Sequence, residues 1–299
     1  MTETTTRQAL RTTSTLDVPG VTLTYDVRRN DASSELPLVL IGTPMGASGF
    51  DTLAGFFGDR TVVTYDPRGT ERSTVNAAGV RATPEDHAED VHRLIEAVGG
   101  GPVDLFGSSG GAINALALVA RYPKDVRTAV AHEPPNFAFL PDRAEALTVV
   151  EDLRRTYQQA GLSAAMAKFM MVVNHQGPFP ADFADQPAPD PAMFGMPTED
   201  DGRRDDMLLS DRAVTVTTHE YDLDAVRRAP TRVVMAVGEE TGETITARTT
   251  RAVADRLGTE PVVFPSHHGG FVGGGPENPY AGKPVEFGVT LREVLGRGR

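Results

Sequence analysis

Residues 102–123, PVDLFGSSGGAINALALVARYP, constrain this chain more than any other stretch. An apolar run of Val103, Leu105 and Phe106 reaches Gly107. Ser108, Ser109, Gly110 and Gly111 then lead into a helix-like segment that ends at Tyr122 and Pro123. Gly-x-Ser-x-Gly between a strand and a helix demands a turn so tight that glycine must stand two residues before and after the serine. The serine is then held in strained backbone at a helix N-terminus, where developing negative charge is favoured. Ser109 is the candidate nucleophile. A flexible Gly/Ser linker does not fit, because linkers are not bounded by VDLF and AINALALVA.

The flanking sequence supplies the framework. Residues 1–15 are Thr-rich and read as a flexible N-terminus, and Leu16 to Arg28 reads as a hairpin around Pro19-Gly20. PLVLIG (37–42), TVVTYD (61–66), VDLF, VRTAVAH (126–132), TRVVMAVG (231–238) and PVVF (261–264) are short apolar runs suited to buried strands. Helical segments separate them: Phe50–Phe57, residues 84–98 opening on Pro84, the segment after Ser109, RTTRAVADRLG and a last helix near 284–295. This alternation predicts an α/β fold, a mostly parallel twisted sheet with helices on both faces. The rhythm breaks between Pro134 and Pro230, where two helical stretches precede the Pro-rich FPADFADQPAPDPAMFGMP. The expected organisation is a core of 16–133 and 230–299 with a helical cap, 134–229, inserted between strands six and seven. Met166, Met170 and Met171 suit either the cap's own core or an apolar surface over Ser109.

Composition removes several alternatives. A formal net charge of −12 disfavours a phosphate-binding surface, so no nucleic-acid partner is expected. With no cysteine, disulfides, thiol nucleophiles and Cys-based metal sites are excluded. His132 and Glu133 stand in HEPP, which is not the HExxH pattern, and no metal is expected. The opening MTETTTRQALRTTSTLD lacks the apolar core of a secretory signal and no run is long enough to span a membrane, so a cytoplasmic protein is expected.

A serine hydroxyl needs a base, and histidine titrates near neutrality. Of seven histidines, His268 is best placed: it follows PVVF and precedes Gly269-Gly270-Phe271, where small residues let the ring approach Ser109. His267 would point elsewhere. His87, His92, His175 and His219 read as surface or packing residues.

The chain resembles the α/β-hydrolase superfamily with a helical cap, over about residues 16–295. TYDPRGTERS (64–73) looks like that family's YDxRGxGxS segment, and FPSHHGGF (264–271) like its terminal histidine loop. LIGTPMGASGF (40–50) looks like its oxyanion loop, with Ile41 in place of the usual histidine. The resemblance implies a carboxylate to fix the imidazole tautomer. The commonest family position is Thr241 here, which carries no charge. Glu133, directly after the sixth strand and before Pro134-Pro135, is the preferred acid, and Glu240 on the seventh-strand loop the alternative. Acids after the sixth strand occur in related enzymes that open the macrolactone zearalenone. The oxyanion hole is expected from the N–H groups of Gly110 and Thr43, since Pro44 has none to give.

These readings predict a cofactor-independent serine hydrolase acting on a small apolar ester or lactone through a Ser109–His268–Glu133 triad. An aspartate-dependent dehalogenase or epoxide hydrolase is disfavoured by the serine. An acyltransferase, a carbon–carbon hydrolase and a non-catalytic ligand binder stay open, as does a homodimer.

Overall fold

Along Leu38–Ile41, successive side chains enter opposite cores: Leu38 and Leu40 one, Val39 and Ile41 the other. This is the period-two alternation of a strand buried on both faces. The structure is a computed structural model and describes residues 10–77, 79–274, 278 and 280–297. Eight strands make a continuous path: β1 (Arg11–Val18), β2 (Val21–Arg28), β3 (Leu38–Ile41), β4 (Val62–Asp66), β5 (Val103–Ser108), β6 (Val126–His132), β7 (Arg232–Gly238) and β8 (Val262–Phe264). Their order is β1-β2-β4-β3-β5-β6-β7-β8, and Thr74–Val75 adds a two-residue pairing on β2. The β1–β2 and β2–β4 pairs are antiparallel, and every pair from β4 onward is parallel.

Helices cover both faces. α2 (Pro84–Ala97), α3 (Gly110–Arg121) and α7 (Ile245–Leu257) pack Val91, Leu94, Ile113, Leu116 and Val253 into one core. α1 (Asp51–Gly55) and α8 (Pro284–Gly296) pack Leu53, Phe287, Leu291 and Val294 into the other. Each such buried side chain contributes roughly 1.5–3 kcal/mol relative to exposure. α2 starts where its sequence dictates. Thr83 accepts from the Asp86 N–H at 3.2 Å while Asp86 accepts from the Thr83 N–H at 3.0 Å, with Pro84 in the first turn.

The N-terminus corrects one expectation. Residues 1–9 lie outside the described residues, but Arg11–Thr15 are strand, paired with Arg28–Thr24 and anchored on the buried Asp26 by Arg11 (2.6 Å) and Thr13 (2.5 Å). A polar, Thr-rich run looks loose, yet β-branched threonine fits an edge strand well.

Between β6 and β7 the chain leaves the sheet. α4 (Arg143–Asn174) runs through both predicted helical stretches and breaks at Gly161, where φ is 81°. α5 (Asp211–Thr217) and α6 (Leu223–Arg228) follow. Among the described residues, no helix is long and apolar enough to cross a membrane.

Candidate active site

Three neighbouring strands end in register: Ser108 lies opposite His132, and His132 opposite Ala236. Residues that follow those ends therefore emerge along one edge of the sheet, the edge where open parallel sheets bind ligands. Ser109 leaves β5 with φ 58° and ψ −130°, a conformation unfavourable for any residue with a side chain. The glycines around it are required by close approach. A Cβ on Gly111 would lie 2.4 Å from the Ile41 carbonyl oxygen, and one on Gly107 would lie 2.6 Å from that of Gly111. The Ser109 N–H donates to the His132 carbonyl at 3.0 Å. Its hydroxyl makes no hydrogen bond among the described residues, so the link to His268 is open in this conformation.

Glu133 leaves β6 in the same manner, with φ 50°, and its N–H donates to the Ala236 carbonyl at 3.0 Å. Its carboxylate is wholly buried and accepts four hydrogen bonds. Oε1 receives the Gly238 N–H at 2.8 Å and the Thr241 hydroxyl at 2.6 Å; Oε2 receives the Thr246 hydroxyl at 3.0 Å and His268 Nδ1 at 2.6 Å. Burial alone would raise its pKa. The His268 hydrogen bond, the fields of His132 and His268 and the Thr241 hydroxyl outweigh burial and hold the carboxyl well below the usual range. With Nδ1 donating to this carboxylate, Nε2 of His268 is left as the acceptor. Glu240 is engaged elsewhere: Lys283 Nζ donates to it at 2.6 Å and its side chain is exposed. His267 also turns away, its Nδ1 accepting the Gly269 N–H at 3.0 Å.

Gly110 and Thr43 adjoin across the turn, a Cβ on Gly110 falling 2.7 Å from the Thr43 carbonyl oxygen. Asn114, one turn into α3, donates to Thr43 Oγ1 at 2.8 Å, fixing the loop that lacks the family's histidine. Asp66 holds the rest of that loop through the Ala47 N–H at 2.8 Å, and is itself bound by Arg72 Nε at 2.6 Å. The TYDPRGTERS segment thus braces the loop after β3.

A family model described as the α/β hydrolase fold matches residues 43–182. The uncharacterised hydrolase YraK of Bacillus subtilis (strain 168) is 28% identical over 266 residues, spanning 86% of this chain and 89% of that protein. The chain has the α/β-hydrolase fold and is similar in sequence to a hydrolase of that kind. Two solved structures share this fold at low identity. A carboxylesterase of Nitrososphaera gargenis aligns with TM-score 0.64 and 18% identity over 95% of this chain and 98% of its own. A mutant of the N-acyl homoserine lactonase AidH, complexed with N-hexanoyl homoserine, gives 0.60 and 17% over 96% of each chain.

Ser109, Gly110 and Thr43 line a cleft of about 50 Å³. Its opposite wall is not the methionine-rich part of α4. Met166 and Met171 pack against other residues of the segment between β6 and β7, apart from Ile245, and the cleft is walled by Met207, Leu208, Ala213 and Val216 from α5 and the turn before it. His87 corrects another expectation. It is wholly buried, lines the same cleft, and has no partner on either ring nitrogen among the described residues. His92, His175 and His219 are packing residues, bonded to Asp125 (2.6 Å), the Pro178 carbonyl (3.0 Å) and Glu85 (3.0 Å). The sequence marks Thr241 only as an uncharged residue where the acid commonly stands, and nothing in it points to Thr246 or Asn114. Only their hydrogen bonds, across long stretches of chain, reveal them.

Proposed function

We propose that this α/β hydrolase cleaves a carboxylic ester or lactone by serine catalysis. The observation that carries the reading is the 2.6 Å hydrogen bond from His268 Nδ1 to the buried Glu133 carboxylate, beside a serine held at positive φ at the head of α3. The relay requires the Ser109 hydroxyl to meet Nε2 when substrate binds; catalytic hydrogen bonds are often long before substrate arrives. His268 takes the proton as Ser109 Oγ attacks the carbonyl carbon. Glu133 stabilises the imidazolium and stays ionised. The N–H groups of Gly110 and Thr43 receive the oxyanion, each worth about 3 kcal/mol in the transition state. Collapse expels the alcohol, protonated by His268, and leaves an acyl-enzyme. Water then attacks with His268 again as base. No step needs a cofactor.

Residues 134–229 act as the cap in this reading, with α5 supplying the apolar wall that shapes the substrate's body. An esterase and a lactonase among the structures of like fold support the bond type. Ser109→Ala is the test: it should abolish p-nitrophenyl ester turnover and fluorophosphonate labelling while the fold, read by circular dichroism, is kept. Turnover retained by a pure variant would overturn the assignment.

A further inference from the structure

One charged side chain in the cleft has no structural employment. Arg212, on α5, lines the cavity with Ser109 and is half-buried. In a chain of net charge −12 it forms no ion pair among the described residues, and Nη1 donates only to the thioether sulfur of Met207, at 3.0 Å. A thioether is a weak acceptor, so most of the guanidinium's hydrogen-bonding capacity is unspent. Other arginines near the site are used up. Arg68 clasps Asp90 at 2.8 and 2.6 Å, and Arg72 clasps Asp66 and Asp26.

The second observation is His87. It lines the same cleft from α2, wholly buried, and neither nitrogen has a protein partner among the described residues. Buried polar groups left without partners are uncommon and costly, about 1–3 kcal/mol each. Burial, reinforced by Arg68 and Arg212, pushes its pKa down to about 3, so the ring is neutral and offers one donor and one acceptor. A cation and an unused donor thus face a cleft whose remaining cap-side wall is apolar apart from Thr217, whose hydroxyl donates to the Ala213 carbonyl at 2.9 Å.

We infer that the substrate carries a carboxylate, held by the Arg212 fork with help from His87, at the end of an otherwise apolar body whose ester or lactone carbonyl lies at Ser109. The inference rests on the serine-hydrolase reading above. A planar guanidinium matches a planar carboxylate in two parallel hydrogen bonds. A phosphate dianion would call for more positive charge than one arginine in so acidic a protein supplies. The expectation of an apolar ester or lactone is thereby narrowed to an amphipathic one.

The ethyl half-esters of succinic, glutaric and adipic acid, each compared with the neutral ester in which a methyl ketone replaces the carboxylate, test this. Hydrolysis is followed by pH-stat, and fluorophosphonate labelling is run in parallel. The wild type should favour at least one half-ester by about tenfold or more in kcat/KM, the scale of a charge-assisted hydrogen bond. Arg212→Gln should cut that charged-to-neutral ratio by about ten- to a hundredfold, chiefly through KM, and Arg212→Lys should restore part of it. A labelled wild type with no preference, or a preference that survives in Arg212→Gln, overturns the carboxylate subsite and leaves the serine hydrolase standing. A wild type that is neither labelled nor active on any ester sinks both.

Discussion

His268 Nδ1 meets Glu133 Oε2 at 2.6 Å, joining the loop after β8 to the end of β6 across 135 residues of chain. The parallel register brings them together: β6, β7 and β8 end side by side, so a residue just past β6 faces the loop past β8. Glu240, on the β7 loop between them, is drawn off by Lys283 instead. Glu133→Gln should therefore lower kcat on p-nitrophenyl esters by about a thousandfold or more, because an amide can present a donor to Nδ1 and so favour the wrong tautomer. Glu240→Gln should stay within about threefold of wild type. Steady-state kinetics of both variants, measured together, decide between the acids.

Thr241 stands where a commoner arrangement would place the acid, and here its hydroxyl donates to Glu133 Oε1 at 2.6 Å. It is a positioning residue. Removing a donor from a buried carboxylate costs about 1.5–3 kcal/mol. Thr241→Val should lose stability on that scale in urea unfolding and lower kcat by about tenfold with little change in KM. Thr241→Ser, which keeps the hydroxyl, should recover most of kcat. A serine variant as impaired as the valine would mean that packing of the methyl group, not the hydrogen bond, sets the effect.

Much of this architecture is legible along the chain because it depends on local pattern. Ser109 is found from a strand, two glycines and a helix within twenty-two residues, and each glycine is needed for a backbone contact the turn itself creates. Glu133 is found because it follows a strand whose boundary the sequence shows. Asn114 is not, since its partner Thr43 is 71 residues away, and Thr241 lies 108 residues from Glu133. The segment between β6 and β7 is harder still. Its helices carry an apolar pattern, but no periodicity says which part folds over the cleft. Met207 and Arg212 thus reach it where Met166 and Met171 were the visible candidates. His87 reads as an ordinary helix residue because the α5 residues that line the cleft with it lie far along the chain.

Ser109 holds φ at 58°, in the region where a side chain costs roughly 1–2 kcal/mol and glycine nothing. Catalytic geometry and stability should therefore oppose each other at this one residue. Ser109→Gly should unfold at higher denaturant than Ser109→Ala, by about 1 kcal/mol after allowance for the glycine's larger unfolded-state entropy. Both variants should be inactive. Equal stabilities would mean that the turn relaxes to ordinary backbone once the hydroxyl is gone.

Two buried imidazoles make stability depend on mild acid. His132 is enclosed by Phe106, Phe264, Phe271 and Phe287, with Nδ1 3.2 Å from Ser108 Oγ, and burial pushes its pKa down to about 4 against the attraction of Glu133. His87 is pushed to about 3. In the unfolded chain both titrate near 6.5. Above that pH neither state binds a proton at these rings and the native state keeps its full stability. Below it, the unfolded chain takes up protons that the native fold refuses, so stability falls as pH drops, by up to about 1.4 kcal/mol per unit for each ring. Between pH 7.5 and 5 the loss should reach about 2 kcal/mol per histidine, before carboxylates such as Glu133 begin to titrate in the unfolded chain. Urea unfolding at pH 7.5, 6.0 and 5.0 measures it. His132→Phe, removing one of the two rings, should roughly halve the slope. A stability that stays level down to pH 5 would mean that both rings carry their protons inside the fold.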